Sequence, residues 1–424
     1  MRPAAAEFRM TGKFGTGVLV VGIALAALNL RPALASVGPN SAAIMGDLEL
    51  GHGVFALMIA IPTICMGIFG VVGVRFAERF GPDRLVMLAM LLIGVSTALR
   101  VFAGNHPAIL IATALGVGIG ISMGQSALPI LVKSRFPSRV AVASGAYVFF
   151  MNVGAAITAQ FVLPLRDGGL GGSWALSLAV WAILAAPALL VWIVIAPGRR
   201  PEQASAKAGT WLRSLPWRNK ISWLIGLQLA VSSLIYFSVL TWLPAAFQAA
   251  GLGEHAAAGT FTVFTIAVIV ASFIVPAASQ RTGEDRRTWI VAMLAVGCIA
   301  FSLLAIVPAW NPILISILLG ISAGALFPLA VTLPLDYSHD PRQTGRLTAV
   351  SMCVGYLGAS LGPLLVGLIS EWTGGYQVPL FAIAAVIAAT VVVTLRMPNP
   401  QAYRASEAEV HNNPDPAHRA IIDS

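Results

Sequence analysis

One arginine stands where a charge is hardest to place. Arg31 lies inside a long apolar run, about 21 Å from the start of that run at 1.5 Å per helical residue. An arginine near the centre of a bilayer costs about 2.5–3.5 kcal/mol on insertion scales, so it should face a wet cavity rather than lipid. The 17 acidic residues all fall in polar connections or at the rims of apolar runs. The six histidines, at positions 52, 106, 255, 339, 411 and 418, do the same. Cys65, Cys298 and Cys353 sit far apart in apolar stretches, a spacing that indicates neither a disulfide framework nor a metal cluster. A membrane-embedded enzyme would gather His, Asp, Glu or Cys at one depth. No such cluster occurs, so no catalysis, metal or cofactor is expected. The chemistry left is recognition: a guanidinium without a protein counter-charge at its depth, which an anionic or strongly polar small molecule could complete. The alternative is that Arg31 bonds helix carbonyls, hydroxyls or aromatic faces and merely holds the bundle together. Arg100 lies four residues from the end of another apolar run, within snorkelling distance of water.

The elements that must position Arg31 follow from composition. Of 424 residues, 58% are hydrophobic and only 10% charged, with a mean hydropathy of +0.85, against roughly 25% charged residues in soluble proteins. Soluble multidomain folds are excluded, and the lipid bilayer is the expected solvent. A bilayer core needs about 20 apolar residues per helix. Twelve segments qualify, near 16–40, 53–74, 84–104, 107–132, 139–164, 173–196, 220–246, 256–279, 288–308, 311–334, 345–370 and 376–396. Arg2, Arg9 and Lys13 before the first segment, with Ala33-Leu34-Ala35 inside it, mimic a secretory signal. The run is too long for a signal core, however, and Arg31 interrupts it. The formal charge of +9 is informative through its placement. Of 26 Lys and Arg, 23 fall in the termini or in connections on one side, against Arg166 alone on the other, with Arg31 and Arg100 inside spans. The positive-inside rule then places both termini in the cytoplasm. Trp174, Trp310 and Trp372 near one set of ends, with Trp217 and Trp289 near the other, match interfacial belts.

The longest internal polar stretch divides the chain in two. The resulting plan is a cytoplasmic segment 1–15, a six-helix bundle 16–196, a cytoplasmic loop 197–219, a second six-helix bundle 220–396 and a disordered cytoplasmic tail 397–424. The halves should be pseudo-symmetric repeats. Span four carries Gly116, Gly118, Gly120 and Gly124 before Pro129, and span ten carries Gly320 and Gly324 before Pro328. Small residues at such spacing allow close helix packing in lipid, and intraspan prolines at 32, 39, 62, 129, 244, 276 and 328 permit kinks. Matching Pro39 of span one with Pro244 of span seven places Arg31 opposite Tyr236, each eight residues earlier. Tyr236 could share a ligand with Arg31, or serve only in packing, and Trp242 could cap the outer end of the cavity.

Two six-helix halves with cytoplasmic termini resemble the major facilitator superfamily. The loop Val74-Arg75-Phe76-Ala77-Glu78-Arg79-Phe80-Gly81-Pro82-Asp83-Arg84 is similar to that superfamily's signature after span two. It departs from it in Val74 for the first glycine, Glu78 for the acid, and Pro82-Asp83 for the basic pair. The resemblance implies that Glu78, Arg79 and Arg84 latch an inner gate, although such charges could equally serve only to fix topology. A narrower resemblance is to the cyanate permease and nitroimidazole transporter family. It is carried by Asn29-Leu30-Arg31-Pro32, Leu128-Pro129, Phe136-Pro137, Trp242-Leu243-Pro244, Phe327-Pro328-Leu329, Gly355-Tyr356 and Gly362-Pro363, with departures at Gln125 and Ala323. It implies a substrate site that includes Asn29 and Arg31. Because spans four, five and eleven line the cavity in this superfamily, it also implies Gln125, Tyr147, Asn152 and Tyr356.

The function expected is a monomeric inner-membrane secondary transporter without cofactor or nucleic-acid partner. It would move a small anion, cyanate-like or a carboxylate, by alternating access around Arg31. The alternative is efflux of small neutral polar or nitroaromatic compounds. Lacking an intraspan carboxylate, the chain would work by facilitated diffusion, by exchange, or by symport with the proton carried on a weak acid or on a rim acid such as Asp47 or Glu49.

Overall fold

The computed structural model describes residues 16–136, 140–196, 215–282, 285–338 and 341–404. Twelve helices within these residues are long and apolar enough to cross a membrane. They are α1 Gly17–Asp47, α3 Pro82–Gly104, α6 Trp174–Ile195 and α11 Gln343–Thr373. The remaining eight are α2 His52–Phe80, α4 Pro107–Arg135, α5 Val140–Gly169, α7 Lys220–Ala249, α8 Glu254–Thr282, α9 Arg286–Ile306, α10 Pro312–Tyr337 and α12 Gln377–Leu395. Their starts obey local chemistry. Pro82, Pro107 and Pro312 occupy first turns, where a missing N–H is harmless. Asn219, Asp285 and Asn311 accept backbone N–H bonds as caps. Gly81 joins α2 to α3 at φ +87°, a left-handed conformation that favours glycine.

Chain direction alternates from helix to helix, so one face carries both ends of the bundle (the termini face) and the other carries the α1–α2, α5–α6, α7–α8 and α11–α12 connections (the far face). The packing pattern repeats. Helices α2 and α4 pair as α8 and α10 do, α3 and α6 as α9 and α12, and α1 and α5 as α7 and α11. The two halves meet along α2–α11 and α5–α8. Glycines allow the closest crossings: a Cβ on Gly118 would stand 2.6 Å from Pro62 Cα, and one on Gly324 2.4 Å from the Val268 carbonyl. Large apolar side chains such as Ile183, Leu190, Ile274 and Leu395 point outward, as they must in lipid.

Several features depart from the sequence expectations. Span one runs on to Asp47 and is broken, with a helix over Thr16–Asn29, turns at Leu30 and Arg31, and 3-10 geometry at Gly38–Asn40. Pro32 explains the break, because it cannot donate an N–H to the turn before it and its ring crowds the carbonyl four residues back. Trp310 and Trp372 are exposed, but Trp174 turns inward and donates to Asp47 at 2.7 Å. The start of the expected tail is ordered: residues 400–404 are helical, Met397 is buried, and the Tyr403 ring packs on Tyr337 at 5.7 Å. Residues 405–424 of that tail, residues 1–15 and most of the central loop lie outside the described residues.

Candidate functional site

The break in α1 delivers Arg31 to the middle of the molecule. Its guanidinium sits 4.7 Å from the centre of the Tyr236 ring and 5.6 Å from that of Phe237, both on α7. Arg31 is 6% exposed, and its Nε and one Nη are buried without a hydrogen-bond acceptor. The position-matching of the halves therefore brings together the two residues it paired, face to ring rather than side by side toward a ligand.

Arg31 and Tyr236 form the deep end of a cavity of about 360 Å³. Its walls come from both halves: Ser144, Tyr147, Met151 and Asn152 on α5, Ser233 on α7, Ser272 and Phe273 on α8, Phe327 and Thr332 on α10, and Tyr356 on α11. On α5, α8 and α10 the lining positions belong to the halves of those helices nearer the termini face, so the cavity occupies that half of the bundle. No lining residue is acidic. Six lining side chains are aromatic, at positions 147, 236, 237, 273, 327 and 356. Such a chamber can hold a planar or apolar body while one guanidinium and a few hydroxyls fix its polar end.

Five of the residues singled out from the sequence, Arg31, Tyr147, Asn152, Tyr236 and Tyr356, line this cavity. Three do not. Asn29 donates its Nδ2 to the carbonyls of Leu25 and Leu184, both at 2.8 Å, tying α1 to α6. Gln125 accepts from the Tyr356 hydroxyl at 3.1 Å, one step behind the wall. Trp242 is 1% exposed, donates to the Pro363 carbonyl at 3.0 Å, and packs against His52, Phe55 and Tyr376 toward the far face. Ser233, Ser272 and Thr332 were missed, since hydroxyls are common in such spans; Ser233 alone was signalled, lying one helical turn from Tyr236.

Of the expected latch, the Glu78 side chain lies outside the described residues. Arg79 and Arg84 are exposed, and Arg79 stacks 5.6 Å over Phe80. Within the same loop it is the buried Asp83 that pairs with a neighbouring helix, meeting Arg135 at 3.1 Å. Arg100 does not snorkel. It is 2% exposed and donates to the Ala33 carbonyl at 2.6 Å, just past the α1 break.

The far face is sealed across the halves. Arg166 on α5 holds Glu254 on α8 with bonds of 2.8 and 2.7 Å, and Glu371 on α11 accepts from the Gly53 N–H of α2 at 2.7 Å. At the termini face the Asp83–Arg135, Arg286–Asp336 and Arg287–Asp285 ion pairs each stay within one half. Burial opposes ionisation of Asp285, but bonds from the Arg287 side chain and backbone outweigh it and hold that carboxyl below its usual range.

The sequence profile of the Major Facilitator Superfamily matches residues 18–339 and 254–421. The chain is 28% identical to the 2-nitroimidazole transporter of Escherichia coli (strain K12), covering 87% of this chain and 92% of that one. It is 27% identical to the cyanate transport protein CynX of the same organism, covering 88% and 95%. Among solved structures, a bacterial homologue of the human lysosomal transporter Spinster, inward-facing and unoccupied, superposes with a TM-score of 0.70 at 15% identity, covering 89% of this chain and 96% of that one. Twelve spans in two repeated halves, a central cavity built by both and a profile that runs through them all agree, and the chain belongs to the major facilitator superfamily, as a membrane transporter of that type.

Proposed function

We propose that the protein is a monomeric secondary transporter of the cytoplasmic membrane that carries a small anion, cyanate-like or a carboxylate, by alternating access around Arg31. The observation that carries this reading is the desolvated Arg31 guanidinium, without a carboxylate partner among the described residues, at the closed end of a cavity shared by both halves. Tyr236 and Phe237 hold the guanidinium from behind by cation–π contact; Tyr147, Asn152 and Tyr356 would bond to the remainder of the substrate. The excess of Lys and Arg on the termini face supports a cytoplasmic placement of that face, and on that placement this conformer would be inward-open. Rocking of the halves would break the far-face seal and close the termini face, exposing Arg31 to the other side. Asn29, Gln125 and Trp242 would support the site through α6, Tyr356 and the far-face seal. Glu78, Arg79 and Arg84 would act at the inner gate.

The six rings favour a second reading. A three-atom anion fills a small part of the chamber, whereas a nitroaromatic or an aromatic acid would fill it. The similarity to a 2-nitroimidazole transporter fits that case, with Arg31 bonding a nitro oxygen. Uptake by proteoliposomes decides between the readings. Labelled cyanate, small carboxylates and nitroimidazoles are offered to the unmodified protein and to Arg31→Ala. Saturable anion uptake that falls at least about 30-fold in Arg31→Ala is expected, since truncating one side of a desolvated charge pair costs about 2–5 kcal/mol. Uptake of nitroimidazole alone would favour the second reading, and normal transport by Arg31→Ala would make that arginine structural.

A further inference from the structure

Beyond the cavity that ends at Arg31, the chain buries a second guanidinium with unmet bonding capacity. Arg100 spends one of its five donors on the Ala33 carbonyl, its Nε is buried without an acceptor, and no carboxylate lines the pocket beside it. It opens instead on a separate small pocket of about 30 Å³. Apart from Arg100, that pocket has a single polar side chain, Thr63; the others are apolar and come from α1, α2, α4 and α7. Burying an arginine in such a place costs several kcal/mol unless acceptors are supplied.

The position of the pocket gives it meaning. Its lining residues on α2, α3 and α4 belong to the far-face halves of those helices, on the opposite side of the Arg31 level from the large cavity. Phe237 lines both chambers, and its ring is the one stacked 5.6 Å from Arg31. The two guanidiniums also flank the same break in α1, one at residue 31 and the other on the carbonyl of residue 33. A large cavity, Arg31 with Phe237, and the Arg100 pocket therefore follow one another from the termini face toward the far face, along the seam between the halves.

We infer that the Arg100 pocket is a second anion site, a small-monoanion or carboxylate-head site that serves the far-face-open conformer, with Phe237 as the partition between it and Arg31. The inference rests on the anion reading given above, and it gives that reading a second charged station. One water takes about 10–15 Å³ of such room, so in this conformer the pocket holds about two waters or one monoanion of a few atoms. Rocking of the halves moves Phe237 and Leu240 on α7 relative to the α1–α4 walls, which widens the pocket as the far face opens.

The test is equilibrium dialysis of the full-length purified protein with labelled thiocyanate, a small linear monoanion that does not carbamylate amines, at constant ionic strength set with gluconate. About two thiocyanate ions per chain are expected for the unmodified protein. About one is expected for Arg100→Gln and for Arg31→Gln, and none for the double variant. Glutamine removes the charge and keeps an N–H donor near the place of Nε, but it is too short to keep the bond from Nη1 to the Ala33 carbonyl. Arg100→Lys should restore the second ion, an outcome that a purely structural Arg100 would not give. If the chain binds one ion and Arg31→Gln alone abolishes it, the second site is overturned and the Arg31 reading stands. If Arg31→Gln leaves both binding and anion uptake unchanged, the Arg31 reading itself fails. Binding that persists in the double variant overturns both assignments.

Discussion

The two faces of the bundle are built differently. At the far face, contacts run between halves: Arg166 to Glu254, Glu371 to the Gly53 N–H, and Trp242 on α7 against His52 and Phe55 on α2. At the termini face, among the described residues, the Asp83–Arg135 and Arg286–Asp336 pairs bind neighbours within one half, α3 to α4 and α9 to α10. Between the faces lies a cavity confined to the termini half. The difference shows which contacts a conformational cycle must break. On the alternating-access reading, within-half pairs would keep each bundle rigid throughout, whereas the cross-half pairs would exist in one conformer and set its population. A shift of 1.4 kcal/mol in their sum changes that population about tenfold.

Substitutions at the two faces should therefore separate cleanly when the far-face opening is measured. Spin labels at Gly46 and Gly253 suit this purpose, since a Cβ at either position meets nothing within 4 Å. The largest effect is expected from Trp242→Ala. It empties a fully buried site in the seam, at about 3–5 kcal/mol for such truncations, and should lower thermal stability and lengthen the 46–253 distance. An unchanged distance would mean that Trp242 packs alike in both conformers.

Gly367→Ala should follow. The new methyl would stand 2.3 Å from Ala56 Cβ and 2.7 Å from the His52 carbonyl, a wedge between α11 and α2 worth about 1–3 kcal/mol of overpacking. Opening at the far face relieves the clash, so the long-distance population should rise about tenfold. A fall in stability without that rise would contradict the wedge.

Arg166→Ala ranks below these, because Glu254 is about a third exposed and such pairs contribute up to about 1 kcal/mol. A several-fold rise in the open population is expected. The unmodified protein should approach the variant's distribution at high salt as screening weakens the pair. Asp83→Asn is expected to move the distance distribution least. Its partner Arg135 belongs to the same half, so stability should fall while the 46–253 distance stays. A lengthened distance there would show that the termini-face pairs also govern the switch.

The sequence made much of this legible. Twelve spans, their alternation and the recurrence of glycines on α4 and α10 are readable because lipid forces every span to be long, apolar and helical. Arg31 was legible for the same reason, as a charge in an apolar run has few explanations, and its match with Tyr236 followed from proline spacing alone. The roles of its neighbours were not legible. Asn29, two residues from Arg31, turns away to α6, and Gln125 stands behind Tyr356. Both are polar residues in the right helices, and only side-chain direction separates them from Asn152, which faces the cavity.

Sequence by itself determined the solvent, the number and alternation of spans, the division into halves and the isolation of Arg31, all of which depend on local composition. Pro32 makes a break in α1 readable locally, whereas tertiary structure alone decided that Arg31 stacks on the Tyr236 ring and that Arg100 turns inward to Ala33. It also decided which face is sealed. These outcomes depend on contacts between residues tens to hundreds of positions apart, such as Arg166 with Glu254, and a helix carries no local signal of which neighbour its polar side chains will meet.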